Sequence, residues 1–231
     1  MIITREMAAR VRDVVDAGLV NGVGIAEPGK LCVEAAVCYA LGLPHGDDPG
    51  CVSPSLRRLK IRLNDAQWSS DQARAQGLRR LAVAQLGSKG VLDDAEFARR
   101  VVEMTIRRSV PEALRVAASV NPAHAVRLEA AAVRCETEGT RAAANAAANA
   151  YAAANANAAA YARAAANANA RAADNAAAAA YAAANANAAA ADTARDTSLA
   201  RYSEWVVEIL IDMGAPGCQW LDLVPLAKEI R

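Results

Sequence analysis

The chain has 231 residues, a formal net charge of +1 and only 4% aromatic residues. This balance lacks the excess of Lys and Arg that general nucleic-acid binding requires, and five cysteines without a Cys-x-x-Cys pair make neither a disulfide framework nor a standard zinc site. The N-terminal residues lack the uninterrupted apolar run of a signal peptide and no strongly apolar stretch of about 18 residues occurs, so a cytoplasmic protein with reduced thiols and no membrane partner is expected.

The elements are helical in chain order. Thr4 caps a first helix whose Met7, Val11, Val14 and Val15 follow a 3.6-residue repeat, and Gly18 and Gly22 stop it. Pro28 and Gly29 are expected to open a second, nearly all-apolar helix that ends at Gly42. Ser53-Pro54 pairs an N-cap with Pro at the first helical position ahead of a Leu56, Leu59, Leu63 stripe; because residues 59–63 also alternate, a short strand is the alternative there. Residues 70–86 form the next helix, with Leu78, Leu81 and Val83 inward and Arg74, Arg79 and Arg80 in solvent. Asp93 and Glu96 have capping-box spacing ahead of Phe97, Val101 and Met104. Pro111 is expected to break that helix from its successor. Asn121-Pro122 starts a helix carrying His124 and Cys135. Leu199, Tyr202, Val206, Ile209, Leu210 and Met213 form a last amphipathic stripe ending at Gly214 and Pro216, after which a tail with Trp220 and Leu221 is expected to fold back.

Residues 141–191 hold 35 Ala, 9 Asn, 3 Tyr, 3 Arg and one Asp. Apart from Asp174, every residue there other than Ala has an odd number, from Arg141 and Asn145 to Asn185 and Asn187. A spacing of two suits a strand and a spacing of four suits a helix; the propensity of Ala and the lack of β-branched residues favour helix. Repeat expansion would also generate the parity. An unbroken helix of this length would run about 75 Å, so two or three helices broken at the Asn-Ala-Asn triplets beginning at Asn155, Asn167 and Asn185, or at Asp174-Asn175, are expected.

Two clusters hold the residues best suited to chemistry. Lys30 and Cys32 at the start of the second helix, with Glu34 one turn from Lys30, would form an anion-binding corner or activate Cys32 as a nucleophile with His45 as its base, although a first-turn Lys in solvent and two small cysteines buried in an apolar helix are the commoner arrangement for such residues. The basic run Arg57, Arg58, Lys60 and Arg62 would add phosphate contacts, although such a run is more often a solvated face. His45, Asp47, Asp48 and Cys51 have metal-ligand chemistry in a spacing that matches no standard site, and a turn made by Gly46, Pro49 and Gly50 explains Asp47 and Asp48 without metal. No Walker, GxGxxG, GxSxG or HExxH motif occurs, and no cofactor is expected.

The alanine-rich tract, with a larger or polar residue every four positions, resembles those of bacterial immunity proteins of polymorphic-toxin systems and of related phage and bacterial proteins. The segments PGKLCVEAAVCYALGLPHGDDPGC and EWVVEILIDMGAPGCQWLDL also resemble stretches of bacterial proteins. The resemblance implies a helical protein that acts by tight binding, with no catalytic residues to carry over.

Together these readings give an all-α protein: an N-terminal helical domain over residues 1–138, an alanine- and asparagine-rich helical segment over 139–196, and a C-terminal helix and tail over 197–231 that pack back on the core. The first functional expectation is a non-enzymatic protein-binding factor of immunity or inhibitor type. The alternatives are a protein that binds or processes a small nucleotide-like anion, and a scaffold that forms a homo-oligomer through the alanine-rich segment.

Overall fold

A computed structural model describes residues 2–120, 122–151 and 192–226. Among them the protein is all-α. The described residues form nine α-helices: α1 (Arg5–Asp16), α2 (Val33–Ala40), α3 (Pro54–Asn64), α4 (Asp71–Ala84), α5 (Asp94–Met104), α6 (Val110–Val120), α7 (Ala125–Glu138), α8 (Arg141–Tyr151) and α9 (Asp192–Asp212). The only extended pairing among the described residues is one antiparallel bridge between Gly24 and Leu31. The chain forms two compact units, residues 1–97 with 196–231 and residues 98–195. The division after Phe97, where the sequence suggested residue 138, falls inside α5, a helix with no break to mark it.

In the first unit, local signals start α1, α3 and α4 where the sequence placed them. Thr4 Oγ1 accepts the Met7 N–H, Ser53 Oγ that of Leu56 and Ser70 Oγ that of Ala73. Residues 59–63 belong to α3 and not to a strand: with Pro54 at its first turn, Leu56, Leu59 and Leu63 all reach the core. On α4, Leu78, Leu81 and Val83 are buried as expected, but Arg74 is not in solvent. It is 6% exposed and donates to the carbonyls of Leu19 and Asn64 and to Asp71. These bonds tie the loop at Leu19 and the end of α3 to α4.

Helix α9 places Leu199, Tyr202, Val206 and Leu210 inward, as its stripe implies. The tail folds back through a 3-10 segment, Pro216–Leu223. It packs on α4 at Gly217, where a Cβ would overlap the carbonyl oxygens of Val83 and Ala84. Arg80, expected in solvent, instead holds the tail by donating to Val224 O at 2.6 Å, and Arg5 pairs with Asp222 at 2.5 Å.

In the second unit, Pro111 does not break the helix. Residues 105–109 widen into a π turn, in which the Val110 N–H reaches Thr105 O, and α6 follows directly. A prolyl nitrogen has no hydrogen for an i−4 carbonyl and its ring crowds that carbonyl; the wider turn accommodates both defects. Helix α7 starts at Ala125 after a short 3-10 turn, Pro122–His124, and ends at Gly139 in the left-handed region at φ 63°. Arg107 donates to the last carbonyls of α7, at Glu136, Thr137 and Glu138, and its guanidinium fills the space a Cβ at residue 139 would need.

The described part of the alanine tract is helical, as propensity requires. Ala143, Ala144, Ala147 and Ala148 form one buried face of α8 and join Ile106, Val110, Leu114, Leu128, Cys135 and Tyr151 in the core of this unit. Small side chains let α8 approach α7 closely, so the larger residues of α6 and α7 and Tyr151 supply most of the apolar area. The breaks expected at Asn155, Asn167, Asp174-Asn175 and Asn185 lie outside the described residues.

Candidate functional site

The second helix begins three residues later than the sequence suggested, and this rearranges the site expected at Lys30. Pro28 and Gly29 form a turn in which Gly29 adopts φ 83°, and the Lys30 N–H bonds to Glu27 O. The N-cap is Cys32, whose Sγ accepts the Ala35 N–H at 3.3 Å, while Asn64 Oδ1 accepts the Val33 N–H at 3.1 Å. The first amides of α2 are thus bonded within the protein. Lys30 lies outside the helix, more than half exposed and paired with Glu27 at 3.0 Å.

Moving the helix start inward turns Glu34 into the interior. α2 is buried over nearly its whole circumference, so Glu34 is fully enclosed, and from α3 Lys60 meets it at 3.4 Å, Nζ to Oε2. Gln85, the C-cap of α4, donates to the same oxygen at 3.4 Å and is also fully buried. Burial pushes the Glu34 carboxyl up to about 7, with Lys60 pulling the other way, and burial lowers the Lys60 ammonium against the pull of Glu34. Both shifts have the same cause, loss of water around a charge.

The other members of the basic run do not converge on this point. Arg57 is held by Asp47, donating to its main-chain oxygen and to Oδ1, each at 2.5 Å, while Arg58 and Arg62 are at the surface. Cys32 is an N-cap acceptor whose thiol burial pushes up, and His45 Nε2 bonds to Gly24 O, so the two do not form a nucleophile and base. Asp48 accepts the Gly50 N–H in a turn of its own, and Cys51 is buried with its thiol also pushed up by burial. Among the described residues, no three His, Cys, Asp or Glu side chains are grouped to hold a metal.

A second feature of the first unit was not foreseen. α9, α4 and the end of the tail enclose a cleft of about 630 Å³, with Trp205, Ile211 and Leu226 as apolar surfaces and Arg80, Arg201, Glu204 and Glu208 as charged ones. Arg80 and Glu204 pair at 2.8 Å in a partly enclosed position, where burial raises the Glu204 carboxyl and Arg80 counteracts it. The sequence did carry a signal: Trp205 and Ile211 fall off the inward stripe of α9, and Ile211 is 49% exposed.

The chain matches no protein-family model, no curated protein and no solved structure. No helix among the described residues is long and apolar enough to cross a membrane.

Proposed function

We propose that the protein acts by binding another protein, as a non-enzymatic factor of immunity or inhibitor type in the cytoplasm of a bacterial or phage-infected cell. The observation that carries the binding reading is the α9 cleft, whose apolar surface includes an aromatic residue and is bordered by Arg80, Arg201, Glu204 and Glu208. Interfaces concentrate affinity in such aromatic and arginine positions surrounded by a polar rim. The partner that fits is a segment with one apolar anchor flanked by charges of both signs. The setting rests on the resemblance of the alanine-rich tract.

Three cations weigh against the anion-binding reading, because Lys30, Arg57 and Lys60 are engaged separately by Glu27, Asp47 and Glu34. The scaffold reading would use the alanine face, and over residues 143–148 that face is taken up by the core of its own unit.

The test is quantitative affinity capture with the full chain and its Trp205→Ala and Ile211→Asp variants, each shown folded by circular dichroism. A stoichiometric protein recovered with the wild type and reduced at least tenfold with both variants is expected. Equal recovery with all three chains would overturn the reading.

A further inference from the structure

We infer that Glu34, Lys60 and Gln85 together hold one internal water molecule. All three side chains are fully enclosed, yet Glu34 Oε1, Lys60 Nζ and Gln85 Oε1 have no hydrogen-bond partner. The three side chains meet at one atom, Glu34 Oε2. Lys60 Nζ and Gln85 Nε2 each lie 3.4 Å from Glu34 Oε2, and the other two unpaired atoms are geminal to Glu34 Oε2 and Gln85 Nε2. A buried polar atom without a partner costs free energy, and three such atoms on side chains that meet at one oxygen are the ground for placing one shared ligand there.

The chemistry of these atoms selects the ligand. Lys60 needs an acceptor, whereas Glu34 Oε1 and Gln85 Oε1 need donors. A monatomic cation would meet the two oxygens but be repelled by the ammonium, and an anion would meet Lys60 but be repelled by the carboxylate. A water accepts from Lys60 and gives its two hydrogens to the two oxygens, the roughly three bonds usual for an internal water. It also serves Glu34 when protonated, because its oxygen accepts from two donors at once. Such a water would join α2, α3 and the C-cap of α4 through one bonded centre.

A high-resolution crystal structure of the full wild-type chain, from crystals grown with and without rubidium, decides the matter. One solvent peak is expected within hydrogen-bonding distance of Lys60 Nζ, Glu34 Oε1 and Gln85 Oε1 together, without anomalous signal, and a peak that reaches only one of the oxygens would contradict a water shared by all three side chains. Lys60 Nζ in direct contact with these oxygens and no peak between them would overturn the proposal. So would an anomalous peak there, which would identify a monovalent cation.

Discussion

Lys60 Nζ lies 3.4 Å from Glu34 Oε2, and neither side chain has any exposure to solvent. Both residues belong to the set that the sequence marks for anion binding, and the fold turns them toward each other instead. An enclosed ion pair gains from Coulomb attraction but loses hydration at both ends, so its net contribution is small while the loss of one member is costly. The pair therefore acts mainly on which arrangement of α2 and α3 is allowed.

The pair gives stability a particular pH dependence. With its folded pKa at about 7 against an ordinary value of 4.5, Glu34 binds more protons in the folded than in the unfolded state between those values. Its contribution is therefore fully present below about pH 4.5 and is lost as pH rises through about 7, by up to about 3 kcal/mol. Lys60, lowered by burial, works in the opposite direction in alkali: the folded state sheds its proton first, and stability from this residue rises toward pH 10.5. Urea unfolding at pH 5 and pH 7.5 checks the acid limb. The wild type should lose stability relative to Glu34→Gln between these two values; parallel profiles would contradict it.

Cys32 is expected to behave as a cap and not as a reactive thiol. Cys32→Ser retains an acceptor for the Ala35 N–H and should change stability little, whereas Cys32→Ala should cost about 1 kcal/mol. Burial pushes the Cys38, Cys135 and Cys218 thiols up to about 11 and raises those of Cys32 and Cys51. Labelling with a thiol-specific disulfide reagent at pH 7.5 should be slow in the folded protein and rapid in denaturant. A fast-reacting thiol in the native chain would refute this.

Gly217→Ala should loosen the C-terminal segment from α4. Its added Cβ would meet main-chain oxygens of Val83 and Ala84 that cannot swing aside, at a cost of about 1–3 kcal/mol. Trp220, whose ring lies 5.8 Å from the Arg5 guanidinium, reports the change: its fluorescence should shift to the red in the variant, together with a lower Tm. An unchanged spectrum and Tm would show that the tail is not anchored there.

Gly139→Ala should destabilise the second unit for two reasons, a left-handed backbone at φ 63° and the Arg107 guanidinium in the space of the new Cβ. A loss of at least about 1 kcal/mol in urea unfolding is expected. Arg107→Ala, which removes the obstruction together with the caps of α7, should not restore it. Recovery of full stability in the double variant would mean that the overlap alone matters.

What was legible in the sequence was local. Thr4, Ser53-Pro54 and Ser70 act within four residues of themselves, so the starts of α1, α3 and α4 could be read directly. Pro111 misled because a proline excludes an ordinary α-turn but not a π turn, and the choice depends on the core packing of Ile106 and Val110. Pro28 and Gly29 misled because a turn and a helix start use the same residues, and Asn64, far along the chain, helps to fix the start at Val33. Lys60 could have been found: it lies four residues from Leu56 and three from Leu63, on the buried stripe of α3. Its charge groups it with the exposed Arg58 and Arg62, but its position on the helix puts it in the core. The pairing with Glu34 joins two helices and has no local trace.

The most direct test of the claim that Glu34 and Lys60 are an interior pair is a double-mutant cycle in urea at pH 7.5 with Lys60→Met, Glu34→Leu and both together. Each single variant should lose about 3 kcal/mol or more by leaving its partner buried alone, and the double variant should be more stable than either. Losses that simply add would contradict it, because two side chains that do not meet in the interior have no reason to compensate each other.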